Sequence, residues 1–325
     1  MRRERHQVNR KPLWAQLVSV AVFVLLATAP SGAQATRKPP ELSRPPDLAD
    51  VAYGPHQRNV LDLWKAKSDR PTPLLVFIHG GGFRQGDKRD RINPFLLDLC
   101  LANGISFATI NYRLTDTVSY PAPMQDGARA IQFLRWRAKD WNLDPGAFGA
   151  SGGSAGAGIS LWVAFHDDLA DPASVDPVKR QSTRLSAAAL TGAQTTYDPR
   201  VIREVVGDAA AQAEPLLAFW GLRPEELNTE KAFRIFQDCS PINHLSAGDP
   251  PVFLLYSEPN LPVPADAAPG AGIHHPRFGF YLKEKMDKLG IECIVRLREK
   301  YPEDFRQPVA RDMVEFFLKQ FRKKS

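Results

Sequence analysis

Cysteine is scarce in this chain: Cys100, Cys239 and Cys293 are the only three in 325 residues, widely spaced and without a C-x-x-C pair. That spacing excludes a disulfide framework and a thiolate zinc site. One pair is left free to close in an oxidising compartment, although Cys100 and Cys293 fall in apolar runs, where buried thiols are expected. Histidine is also sparse, with seven residues and none after His275. Around the glycine-rich stretch at 149–158 there is no G-x-G-x-x-G, and no Gly-Lys-Ser/Thr follows a glycine loop, so dinucleotide and phosphate-loop binding are not indicated. Blocks of Lys and Arg interleaved with aromatics are missing, which argues against a nucleic-acid partner. Internal repeats are missing too.

The basic excess is concentrated at the start. The net charge is +6, and residues 1–35 hold five basic residues against one acidic, which leaves +2 for the remainder. Met1-Arg2-Arg3 opens that segment, an apolar run occupies 13–29, and Ala33 and Ala35 close it in a small-x-small pattern. This is the make-up of a secretory signal with cleavage expected after Ala35, and it implies a secreted or periplasmic protein with no stable membrane partner after cleavage. Residues 36–50 are rich in Pro and charge and are expected to form an extended leader. The domain is expected over 51–325, and about 290 residues beyond the signal suffice for one large α/β domain with a buried core.

Within it, apolar runs of strand length alternate with helix-period segments. Short strands at 51–53 and 59–64 form a hairpin, and 74–78 is a continuous apolar run suited to a strand covered on both faces. A helix at 92–102, a strand at 105–111, a helix at 127–141, a strand at 147–150 and a helix at 155–165 follow, then strands at 185–190, 252–256 and 291–297 and helices at 276–289 and 309–321. The alternation predicts a mostly parallel central sheet with right-handed crossovers, flanked by helices. Residues 194–245 interrupt it with helical pieces, expected as a cap over the carboxyl edge of the sheet, with Phe219, Trp220, Phe233 and Phe236 as packing or as a pocket lining.

Two glycine motifs carry the chemistry. His79-Gly80-Gly81-Gly82-Phe83 follows the 74–78 strand, where consecutive glycines let backbone N–H groups point at a ligand. Gly152-Gly153-Ser154-Ala155-Gly156 fits G-x-S-x-G, a serine on a tight turn between a strand and a helix. With Asn111-Tyr112-Arg113-Leu114, Pro121-Ala122-Pro123 and Asp126, and Ser240-Pro241-Ile242-Asn243-His244, these segments resemble the α/β-hydrolase fold. They are similar in particular to HGGG-bearing carboxylesterases and lipases of the hormone-sensitive-lipase type and to bacterial acetyl or feruloyl esterases.

The resemblance implies that Ser154 is the nucleophile and that the N–H groups of Gly81, Gly82 and Ala155 hold the oxyanion. It implies no cofactor, and a small carboxylic ester or an acylated carbohydrate as substrate, cleaved through an acyl-serine; no metal is expected, because the adjacent His274-His275 pair has no further ligands at helical or C-x-x-C spacing. The other two triad positions depart from the pattern. Asn260 stands where the acid is expected, and Tyr301-Pro302-Glu303-Asp304-Phe305 stands where the late histidine is expected. Two readings follow. In one, His274 or His275 is a relocated base and Glu258 or Asp266 orients it. In the other, the fold has lost acyl transfer and binds an ester or carbohydrate without turnover. His79 reads as structural, His166 as a surface helix residue and His244 as part of a turn. The sequence leaves the oligomeric state open.

Overall fold

Strand β3, Thr72–Ile78, shows why the sheet is buried on both faces. Leu74, Val76 and Ile78 join the apolar cluster on one side, while Leu75 and Phe77 join the cluster on the other. A period of two with apolar residues at both phases leaves no face for water, so helices must cover each side. The computed structural model describes Leu42 and residues 44–323, so the expected signal and residues 36–41 and 43 of the Pro-rich leader lie outside the described residues. The last residues of that leader are ordered: β1 spans Leu48–Ala52, and Trp64 Nε1 donates to the Arg44 carbonyl at 3.1 Å. Structure therefore starts before Val51, because residues 48–50 form the beginning of a strand that pairs with its neighbour.

The eight strands run in the order β1-β2-β4-β3-β5-β6-β7-β8. Here β2 is Val60–Trp64, β4 Ser106–Ile110, β5 Leu143–Gly153, β6 Ala187–Thr191, β7 Val252–Tyr256 and β8 Cys293–Leu297. The pairs β1/β2 and β2/β4 are antiparallel and all others parallel. This is the α/β-hydrolase fold.

Helix α1, Pro94–Ala102, starts where the Asn93 side chain accepts from the Phe95 amide and Pro94 occupies the first turn. With α10, Arg306–Arg322, it covers one face, and Phe317 of α10 lies so close to Gly149 of β5 that a Cβ there would come within 2.7 Å of its ring. The other face carries α2, Ala122–Trp136, the short α3, Ala138–Trp141, α4, Ala155–Phe165, and α9, Arg277–Lys288. Segment 194–245 contributes α5, Pro199–Val205, α6, Asp208–Ala211, α7, Pro215–Trp220, and α8, Glu230–Cys239. Phe219, Trp220 and Phe236 are buried in the core on that same face, and Phe219 stacks on Phe83 of the glycine loop at 4.1 Å. All three cysteines are free and buried.

Candidate active site

Parallel strands place their carboxyl ends on one edge of the sheet, and the crossover loops meet there. Ser154 sits between β5 and α4 with φ 53° and ψ −121°, a backbone conformation that a side chain rarely adopts and that marks a sharp strand-to-helix turn. The flanking glycines are required by contact. A Cβ on Gly156 would lie 2.0 Å, and one on Gly152 2.6 Å, from the Ile78 carbonyl oxygen of β3. The Ser154 amide donates to Thr191 O at 3.0 Å, which ties the turn to the end of β6.

The partner of this serine is His274. Its Nε2 lies 2.8 Å from Ser154 Oγ, within hydrogen-bond reach across 120 residues of sequence. The imidazole packs on Gly192, where a Cβ would come within 3.2 Å of the ring. Glu258, two residues past β7, accepts from the His274 amide through Oε1 at 3.1 Å, and the same oxygen stands 3.7 Å from Nδ1. That second distance suits an ion pair and exceeds a hydrogen bond, so the carboxylate fixes the backbone first and faces the ring second. Burial pushes the His274 pKa below its ordinary value of 6.5; the Glu258 charge opposes this and Arg91 reinforces it.

His275 and Asp266 do not join the site. The His275 Nε2 lies 2.8 Å from Leu261 O, and its Nδ1 accepts from the Arg277 amide at 3.1 Å. With both nitrogens engaged at the start of α9, this buried ring serves as a cap and has no free lone pair for a serine. Asp266 is exposed in the Pro-rich loop and is absent from the cavity around Ser154.

The glycine loop faces Ser154 from the end of β3. Gly81 and Gly82 have φ of 112° and 61°, open to glycine, and the Arg84 and Gln85 amides both fold back onto Gly81 O at 3.0 and 3.2 Å. Among the described residues, no backbone carbonyl accepts from the Gly81 or Gly82 amide. Ala155, the first residue of α4, has an amide without an intrahelical acceptor. His79 is scaffolding: its ring stacks on Tyr112 at 4.4 Å, Nδ1 contacts Gly80 O at 2.7 Å, and burial pushes its pKa down to about 4, so the ring is neutral.

A cavity of about 510 Å³ opens beside Ser154 and His274. Its apolar wall comes from Phe77, Leu96, Phe305, Val309 and Met313, on the α1/α10 side of the sheet. Phe219, Trp220, Phe233 and Phe236 are not among its lining residues. Of the two readings offered for the aromatics of the 194–245 insertion, packing is the one observed: they fill the core on the opposite face, and Phe233 lies under the Arg200 guanidinium. The start of α10, beside the position where a late histidine was expected, forms wall instead of base. Arg91, Phe305 and Arg306 were missed in the sequence, where only their nearness to a strand end or loop could have signalled them. The convergence of metal-ligating side chains found among the described residues lies elsewhere, at His166, Asp238 and His244.

Such a sheet, serine turn and glycine loop define the α/β-hydrolase class used by esterases. The sequence model of the BD-FAE family matches residues 61–269, more than half of the chain, and the chain belongs to that family. The match stops short of His274. Esterase LipQ of Mycobacterium tuberculosis is 28% identical over 228 residues, covering 67% of this chain and 50% of the relative. The chain thus spans about half the length of that relative. Among solved structures, a truncated carbohydrate esterase from gut microbiota superposes with TM-score 0.60 at 18% identity, covering 85% of this chain and 96% of that one. An acetyl ester-xyloside bifunctional hydrolase from Caldicellulosiruptor lactoaceticus gives TM-score 0.61 at 20% identity, covering 85% and 97%.

Proposed function

We propose that the protein hydrolyses a small carboxylic ester through an acyl-serine on Ser154. The observation that carries this reading is the 2.8 Å contact between Ser154 Oγ and His274 Nε2. His274 takes the hydroxyl proton as Oγ attacks the ester carbonyl, then gives it to the departing alkoxide; a water repeats the sequence to release the acid. Glu258 holds the tautomer with hydrogen on Nδ1 and stabilises the imidazolium that forms. The amides of Gly81, Gly82 and Ala155 receive the negative oxygen of the tetrahedral intermediate, each such donor contributing about 3 kcal/mol.

The cavity supports an acyl group of modest size. An acylated carbohydrate as the ester is supported by the two structural neighbours whose names include carbohydrate esterase and acetyl ester-xyloside hydrolase, and by a leading segment of secretory type. That segment makes the protein secreted or periplasmic in this reading. The alternative of binding without turnover was motivated by two altered triad positions, Asn260 at the acid and 301–305 at the late histidine; the contact of His274 with Ser154 and the place of Glu258 beside it support turnover instead.

Hydrolysis of p-nitrophenyl acetate and of acetylated xylo-oligosaccharides tests the proposal. Release of acetate from both, lost in Ser154→Ala, is expected. Tight binding of the oligosaccharide with no acetate released would overturn it in favour of the binding protein.

A further inference from the structure

At the far end of α4, roughly 16 Å along the helix axis from Ser154, three ligating side chains meet. His166 caps α4, Asp238 lies in the last turn of α8, and His244 follows the turn Pro241–Asn243. One ligand atom from each lies within 4.8 Å of the other two. We infer that His166, Asp238 and His244 form a site for a divalent cation of the zinc class, which clips the end of α8 and the turn after it to the end of the serine-bearing helix. The inference is independent of the esterase reading.

The hydrogen bonds around the three residues already have the pattern that orients metal ligands. His166 Nδ1 lies 3.0 Å from Asp167 O, and His244 Nε2 lies 2.7 Å from Asp238 O. A carbonyl only accepts, so in the neutral rings these nitrogens carry the hydrogen. The lone pairs are therefore on His166 Nε2 and His244 Nδ1, and no protein donor among the described residues contacts either. Tyr120 donates its hydroxyl to Asp238 Oδ2 at 2.5 Å, leaving Oδ1 for a ligand. Trp162 Nε1 donates to Asp238 O at 3.0 Å, and its ring packs against both imidazoles. Ligating histidines commonly donate their second nitrogen to a carbonyl in this way, which fixes both ring and tautomer.

Two further features favour a cation. Helices α4 and α8 both end here, so the negative ends of two helix dipoles converge on the site. The donor set of two imidazoles and one carboxylate suits zinc and its neighbours; calcium and magnesium prefer all-oxygen sites. Tetrahedral bonds of about 2.0 Å put donors about 3.3 Å apart, against a spread of up to 4.8 Å for one ligand atom from each residue, and side-chain rotation closes the difference with water completing the shell.

The test is titration of the chelator-treated full chain with Zn²⁺ by calorimetry and with Co²⁺ by visible absorption. One ion per chain, a rise in Tm, and the strong absorption of four-coordinate cobalt are expected. His166→Gln, His244→Gln and the exposed Asp238→Asn should each weaken binding at least tenfold, while His274→Gln leaves it unchanged. Tyr120→Phe, which removes only the donor behind the carboxylate, should weaken it about tenfold. No binding by the wild type, or affinity unchanged in His166→Gln and Asp238→Asn, overturns the site. Binding lost in His274→Gln instead would place the ion at Ser154 and equally overturn it.

Discussion

The His274 ring rests on the backbone of Gly192, with room for no side chain between them: a Cβ there would press to 3.2 Å on the imidazole. Gly192 also has φ 57°, and its amide donates to Leu255 O at 2.7 Å, so the residue is pinned to the end of β7. Gly192→Ala should displace the ring from Ser154 by a few tenths of an ångström and lower kcat on the order of 10-fold, less than the roughly 100-fold that a full ångström of misplacement costs. KM should change little. Steady-state kinetics with a near-ultraviolet circular dichroism spectrum to check the fold decides it; wild-type kcat in a folded variant would contradict the contact.

Glu258→Gln keeps a carbonyl oxygen for the His274 amide and removes the charge 3.7 Å from Nδ1. Loss of the orienting carboxylate costs up to about 10⁴ in kcat where it hydrogen-bonds the ring directly. At this longer separation a fall on the order of 10² to 10³ is expected. Asp266→Asn should leave kcat/KM within about twofold, and the two variants assayed together separate the acid candidates.

The acid limb of kcat/KM should report His274. Only the neutral ring accepts the serine proton, so activity falls as pH drops through its pKa, which lies below 6.5 because burial lowers it. Glu258 raises this pKa and Arg91 lowers it. The midpoint should therefore move down in Glu258→Gln and up in Arg91→Gln. A midpoint above 6.5 in the wild type, or no movement in either variant, would show that another group governs the limb.

His79 and His275 should register in stability. A neutral, buried His79 with a pKa of about 4 refuses a proton that the unfolded chain accepts near pH 6.5. Stability is thus full above that value and declines as pH falls toward 4, by roughly 3 kcal/mol. Urea unfolding at pH 7 and pH 4.5 should show the decline, shallower in His79→Gln. For His275→Ala, loss of the cap on the Arg277 amide should cost about 1–2 kcal/mol, with kcat/KM retained.

The sheet and the serine turn were legible because they follow from local pattern. β7 falls where the apolar run 252–256 stands, and the Ser154 turn is written in glycines that meet a neighbouring strand's backbone. Boundaries moved where a polar first turn precedes the apolar period: α10 begins at Arg306, ahead of the apolar stretch from Val309. The choice between His274 and His275 was not legible. They are adjacent, and only the loop's path aims one ring at Ser154 and the next at Leu261 O. The cavity wall was illegible for a similar reason, since which face of a buried sheet a cavity opens on depends on packing between α1, α10 and the strand ends. The cluster of His166, Asp238 and His244 spans three elements at no fixed spacing, and so leaves no motif.

The pairing of Ser154 with His274 is tested most directly by the rate at which a fluorophosphonate modifies the protein, followed by intact mass and peptide mapping. The account predicts one adduct, on the peptide containing Ser154, absent in Ser154→Ala, at least 100-fold slower in His274→Ala and unchanged in His275→Ala. Labelling of His274→Ala at the wild-type rate, or a wild-type protein that remains unlabelled, would contradict it.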